Sequence, residues 1–359
     1  MKYTRLKIII VLLPLLVFAN LPEGKFKKTK TVERRFDAGN NGTVFIYNIY
    51  GNVNVITGDQ PEVVIKATVK VDGNDLDAVE ERFETIKIRI DKKDSQITAK
   101  TIVENISEGD SSWWSWIFGG SSKQTNFKIN YEVSMPRQWN LKIDNDYGHI
   151  YLNELTGNLD LKADYGSFDI GALSGDDNYI STDYFSNSNI DFVKNAEIKA
   201  DYSRINITSA YQLTLNCDYT TFKIDDVREL NFNNDYGSIN VKNVKKVNGS
   251  GDYQTRVFGN VDTVKFSGDY GTLKIDGLLP GFDVVDVSCE YTTVKIINRK
   301  NVAFRFEMNQ TYGCFKAGDM TIVKEIDRNR NKTIKAYYKD QNTTSLIKIG
   351  MEYGCVKIE

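Results

Sequence analysis

Eleven tyrosines recur at positions 147, 165, 184, 202, 219, 236, 253, 270, 291, 312 and 353, with separations of 18, 19, 18, 17, 17, 17, 17, 21, 21 and 41. So short a period restricts the chain to repeat architectures, in which one unit cannot bury its own faces and must be covered by its neighbours. Apolar residues keep a fixed phase around each tyrosine, most often six and four positions before it and three and five after it. Leu159, Leu161, Phe168 and Ile170 frame Tyr165 in this way, and Leu213, Leu215, Phe222 and Ile224 frame Tyr219.

Strand side chains alternate with period two, so the two leading apolar positions share a face with the tyrosine and the two trailing ones have the opposite parity. Both sets point inward only where one extra residue is accommodated just after the tyrosine, at a bulge or corner. Gly148, Gly166, Gly237, Gly271, Gly313 and Gly354 fill that slot, where a missing Cβ tolerates unusual dihedrals. Ser203, Thr220 and Thr292 occupy it elsewhere, so a left-handed backbone there is not compulsory in every copy. The pattern predicts an all-β fold, a parallel β-solenoid (β-helix) with coils of about 17–21 residues stacked about 4.8 Å apart. Propeller blades run to about 40–45 residues and would need two units each. The parity of the tyrosines predicts rings packed inward, with glycine as the bend.

The same phase appears once earlier, in Val44, Ile46, Tyr50, Gly51, Val53 and Val55. Between it and Tyr147 lie a strand pair, Glu62 to Val71 and Ile86 to Val103, and a short helix. Asp75 or Asn74 caps that helix, and Leu76, Val79, Phe83 and Ile86 form its apolar stripe. Residues 26–136 read as an N-terminal cap that keeps the open edge of the stack from pairing with another molecule. Residues 137–359 read as the repeat domain. A charged hairpin is inserted at 319–340, and if the insertion is a true one, the Tyr312 and Tyr353 units are neighbours in space.

Lys2, Arg5 and Lys7 precede the apolar run Ile8 to Phe18 and then Ala19. This is the pattern of a secretory signal peptide over residues 1–19. About eleven apolar residues fall short of the roughly 20 that span a bilayer, and no later stretch is long enough. The expectation is export to the periplasm, the outer cell envelope or the medium, with no transmembrane span. A formal net charge of −2 gives no electrostatic reason to expect nucleic acid. With one histidine, His149, and no nucleophile elbow, phosphate loop or CxxC, the chain reads as non-catalytic.

The segment from Gly51 to Lys66, then Phe127 to Pro136, then Asn140 to Gly148 resembles, in order and spacing, the putative-adhesin β-strand-repeat family of bacteria, the toast-rack-like proteins, and especially its Bacteroidetes members. The resemblance covers nearly all of the expected mature chain. It implies an adhesin-like role at the cell envelope, and it brings no catalytic residues with it.

Four features are candidates for function. An acidic residue precedes most of the tyrosines, at Asp146, Asp164, Asp183, Asp201, Asp218, Asp235, Asp252 and Asp269, continuing at Glu290 and Glu352. Stacked in register, charges about 4.8 Å apart repel by roughly 0.9 kcal/mol even in water. Ca²⁺ bridging successive carboxylates is one relief; the others are side chains that splay, accept backbone hydrogen bonds at the corner or pair with lysines. The loop around Trp113, Trp114, Trp116, Ile117 and Phe118 is either a plug or an exposed contact surface for a membrane, a protein or a glycan. Cys314 and Cys355 each follow a tyrosine by two residues and come within disulfide range if the hairpin is a true insertion, whereas Cys217 and Cys289 read as small core residues. Three functions follow: an adhesin-like binder, a purely structural scaffold, or a polysaccharide-active enzyme of the β-helix type. The even recurrence of the carboxylates argues for architecture over catalysis.

Overall fold

The computed structural model describes residues 24–104 and 125–359. The signal-peptide reading and the tryptophan loop lie outside the described residues. Among the described residues the alternating pattern yields 24 strands in one continuous sheet and one helix, and most pairings are parallel.

The regular part runs from β8 (Asn140–Leu155) and β9 (Leu159–Leu173) through β10 (Asn178–Asp183), β11 (Ser188–Asp201), β12 (Arg204–Asp218), β13 (Thr221–Asp235), β14 (Gly237–Ser250) and β15 (Gln254–Ser267). It goes on to β16 (Gly271–Leu278), β17 (Val284–Glu290) and β18 (Thr292–Ile296). Each unit lies in parallel register on the next, as with Phe222 on Ile239, Leu230 on Val247 and Val227 on Val244. The inward columns are buried: Leu215, Phe222, Ile224 and Leu230 are at most 1% exposed. A further inward column, eight residues after the tyrosine, holds Leu155, Leu173, Ala210, Val227, Val244, Val261 and Leu278. The register skips single residues on either side of this column, such as Asp225 and Arg228 in β13, so the chain bends there.

At the N-terminal end, β2 (Thr43–Asn48) and β3 (Val53–Gly58) lie in parallel on the two halves of β8, so Tyr50 and its neighbours form one more unit of the stack. The outer edge of that unit is covered twice. β7 (Thr125–Pro136) pairs with β3 and carries β4 (Glu62–Gly73) and β1 (Phe26–Asp37) antiparallel beyond it. β6 (Gln96–Val103) pairs with β2 and carries β5 (Ile86–Lys93). The expected pairing of 62–71 with 86–103 is therefore incorrect. The second segment is itself a hairpin that turns at Asp94, φ 55°, and each strand set covers a different half of the first unit. Helix α1 (Leu76–Thr85) is capped by the Asp75 carboxylate, which accepts from the Ala78 N–H at 3.0 Å, and it buries Val79.

At the C-terminal end the order in space departs from the order in sequence. β23 (Leu346–Glu352) inserts between β17 and β19 (Phe304–Thr311), parallel to both. β24 (Cys355–Ile358) likewise lies between β18 and β20 (Cys314–Lys316). The hairpin of β21 (Thr321–Arg328) and β22 (Asn331–Tyr338) pairs antiparallel along the outer edge of β19, burying Ile334 and Ala336.

The tyrosines correct the inward reading. All eleven have φ between 47° and 58°. The left-handed residue is thus the tyrosine itself, and no glycine after it has positive φ. The reversal turns Asp and Tyr outward together and lets the next residue point inward, so the parity change happens one position earlier than the spacing suggests. The glycine slot is small for a different reason. A Cβ on Gly166 or Gly237 would come within 2.1 or 2.2 Å of the carbonyl oxygen of the neighbouring unit.

Candidate functional surfaces

Along one edge the outward tyrosines form an unbroken column. From Tyr147 to Tyr291, then Tyr353 and Tyr312, successive ring centroids are 4.8–5.1 Å apart and planes differ by at most 4°. Ten such intervals make a column roughly 48 Å long. A left-handed non-glycine residue costs about 1–2 kcal/mol, and a stacked aromatic pair returns about 0.5–1.5 kcal/mol. The column therefore holds its own strained backbone in place. Tyr219 is 49% exposed, but its ring faces are occupied by Tyr202 and Tyr236. The column offers solvent ring edges and hydroxyls, which is a poor platform for stacking a sugar.

Beside it runs the acidic column. Asp201 N–H donates to Asp183 Oδ1 at 3.3 Å, and the pattern repeats from Asp218 to Asp201 (2.8 Å), Asp235 to Asp218 (3.2 Å), Asp252 to Asp235 (2.7 Å), Asp269 to Asp252 (2.7 Å) and Glu290 to Asp269 (2.8 Å). Asp164 likewise accepts from the Asp183 backbone. These donors relieve the repulsion along most of the column. At the N-terminal end relief is weaker: burial, then Asp164 and Asp144, push the Asp146 carboxyl up to about 7. Burial and the next aspartate also raise Asp164 and Asp183. Among the described residues, no group of three or more His, Cys, Asp or Glu side chains is placed to hold a metal ion.

Cys314 and Cys355 are register partners with Cα atoms 4.6 Å apart, joined by a disulfide. Cys217 and Cys289 are buried thiols. His149 pairs with Ser167 across adjacent units, Nδ1 to Oγ 2.9 Å, with its Nε2 3.5 Å from Asp169.

A second surface, not anticipated from the sequence, lies at the bend following the Val227 column. Tyr211, Arg228, Lys245 and Asp262 are the outward residues directly after Ala210, Val227, Val244 and Val261. With Phe192, Lys300 and Pro280 they border a groove of about 880 Å³. Its floor is a register column in which Asn243 Nδ2 donates to Asp226 Oδ1 and Asn260 Nδ2 to Asn243 Oδ1, each at 2.7 Å. Phe192 and Tyr211 meet edge to face at 6.4 Å, and Tyr211 is 52% exposed. Among the described residues, Arg228, Lys245 and Lys300 form no ion pair, and the carboxylates of Asp226 and Asp262 line the groove with them. The sequence signal for this groove was the apolar column eight residues after each tyrosine, which marks the second bend.

No family model matches the chain, and no curated protein matches it. Solved structures similar to it include a putative cell adhesion protein from Clostridium sporogenes, at 12% identity over 92% of this chain and 99% of that one, TM-score 0.18. A putative adhesin from Parabacteroides distasonis shares 8% identity over 92% and 97%, TM-score 0.36. A putative lipid binding protein from the same species shares 9% over 94% and 98%, TM-score 0.37.

Proposed function

We propose that this chain is a non-catalytic, adhesin-like binding protein of the bacterial cell envelope, and that its ligand is an acidic polysaccharide segment held in the groove at Tyr211. In this reading residues 137–359 wind as a parallel β-solenoid, a view supported by register offsets of 17 residues between units, as in Thr221 to Ser238. Residues 26–136 form its N-terminal cap, and the Lys2 to Ala19 segment directs export.

The observation that carries the ligand class is the convergence of Arg228, Lys245 and Lys300, outnumbering the carboxylates of Asp226 and Asp262, on a groove with an exposed tyrosine and a row of amides. Guanidinium and ammonium groups pair with uronate or sulfate. A tyrosine with an open face packs against the apolar face of a sugar ring. The groove volume is within the roughly 300–1,000 Å³ common for ligand sites. The Trp113, Trp114, Trp116, Ile117 and Phe118 segment is proposed as a second contact element. The tyrosine and aspartate columns, whose polar groups and ring faces are already engaged, serve as scaffold.

Titrating the purified protein with a polyuronate and with a neutral glucan tests this. Binding should be confined to the polyuronate, weaken with salt, and fall at least tenfold in a variant carrying Arg228→Gln, Lys245→Gln and Lys300→Gln. Equal binding of both polymers, or an unaffected triple variant, would overturn the ligand class.

A further inference from the structure

One inward column breaks its own rule. Three residues after the tyrosine, the buried positions are Ile205, Phe222, Ile239, then Arg256, then Leu273 and Val294. Arg256 is in register with Ile239 on one side and Leu273 on the other, and it is 0% exposed. Its long side chain has room because the column two residues before the tyrosine contains glycine in two successive units, Gly251 and Gly268. The guanidinium reaches back to the Gly251 carbonyl through Nη2 and lies over the Phe266 ring at 4.5 Å.

The remaining polar groups of this interior corner have no partner. Arg256 Nε and Nη1 are unpaired, as are both amide atoms of Gln254 and of Asn234, which are 2% and 1% exposed. A guanidinium keeps its proton in proteins, and an uncompensated buried charge carries a heavy desolvation penalty. No carboxylate bonds to it: Asp252 and Asp235 favour the charge only at a distance, since they project outward on the far side of the kink, where each accepts a backbone N–H from the next unit. One carbonyl and one aromatic face offset part of the charge. Water would satisfy the N–H donors and leave the charge standing.

We infer that this corner is an anion site, taking a small monovalent inorganic anion of the halide class on Arg256 Nε and Nη1 together with the amides of Gln254 and Asn234. Phe266 lies under the guanidinium and Phe232 packs against both Phe266 and Phe258; all three are at most 5% exposed, so the surroundings of the charge are apolar and closed to solvent. The anion would be an internal counter-ion, fixing the only charged residue of that column among the described units.

Two measurements on the full chain decide it. Crystals grown in sodium bromide should give an anomalous peak beside Arg256. The unfolding midpoint at fixed ionic strength should rise with chloride when chloride replaces gluconate, each tenfold increase above the dissociation constant shifting the folding equilibrium tenfold. Arg256→Met, of similar volume, should abolish the chloride response whatever its own stability. If that variant does not fold, Gln254→Leu should weaken the response. A peak absent from the corner, or wild-type midpoints identical in chloride and gluconate, overturns the site in favour of water alone.

Discussion

Tyr291 stacks on Tyr353, ring centroids 4.8 Å apart, and Tyr312 stacks on the opposite face of Tyr353 at 4.9 Å. The last segment of the chain is therefore an inner layer of the stack, and an earlier segment forms the end. The stack cannot close until β23 is in place, because it covers β17 on one side and β19 on the other.

Truncation after Ser345 should accordingly do far more than fray an end. It removes Ile347, Ile349, Met351, Val356 and Ile358, all buried, and uncovers Val285, Val287, Phe306 and Met308. Burying one such side chain is worth about 1.5–3 kcal/mol, and the whole fold is stable by only about 5–15 kcal/mol. The truncated chain should lose its cooperative urea transition. A transition with the midpoint of the full chain would show that β23 is dispensable.

The Cys314–Cys355 bond ties these inverted layers together across a sequence separation of 41. Closing a loop of that size is worth about 4 kcal/mol at most in the chain-entropy view. Reductant, or Cys314→Ser with Cys355→Ser, should lower stability by about 2–4 kcal/mol in urea titrations, and non-reducing mass spectrometry should find the linked peptide. Identical midpoints with and without reductant count against a stabilising bond.

The repeat was legible because the buried residues obey one phase: Leu213, Leu215, Phe222 and Ile224 could be placed inward by counting. The tyrosine direction was not, because parity counting assumes extended backbone and Tyr219 sits at φ 53°. A residue of unfavoured type in the left-handed region leaves no mark in hydropathy, and only the column of stacked rings explains it. The exchange of layers at the C-terminus was half visible: the hairpin length pointed to Tyr312 and Tyr353 as neighbours, but nothing local says on which side of Tyr312 the last unit lies. Arg256 was passed over, although it is a charge at an apolar phase of the repeat, and it shows its meaning only through its buried surroundings.

The outward stack makes Tyr219 a sharp test. Tyr219→Phe keeps both ring contacts and should change stability by less than about 0.5 kcal/mol. Tyr219→Ala keeps the left-handed strain and loses two stacking contacts, at a cost of about 1–3 kcal/mol. Tyr219→Asn loses the same contacts but tolerates the backbone better, so it should fall between the two. Chemical denaturation measures all three. Were Asn worse than Ala, left-handed strain at this residue would not be part of the balance.

Calcium should have little effect on the acidic column, since Asp183 to Asp269 already accept backbone donors. Millimolar Ca²⁺ and EDTA should give the same melting temperature. A rise of several degrees in Ca²⁺, lost in Asp218→Asn, would reassign those carboxylates as ligands.

Asp146 should make stability fall as the solution becomes less acidic. Its folded value of about 7 lies above the unfolded carboxyl value near 4. Between the two, the native chain retains a proton that the unfolded chain has released, so the native state is favoured at the acid end and loses that advantage as pH rises, becoming level above about 7. Burial is the first cause, and the charges of Asp164 and Asp144 add to it. Asp164 and Asp183 are shifted the same way and steepen the slope. Asp146→Asn removes the ionisable group while keeping its shape. The variant should be more stable than the wild type at pH 8 by about 1 kcal/mol, a figure reduced for solvent screening at this half-open position. Below about pH 3, where the wild-type carboxyl is protonated in both states, the two should converge. A variant less stable than the wild type at pH 8 would mean that the ionised carboxylate has a favourable partner and that the column begins at Asp146.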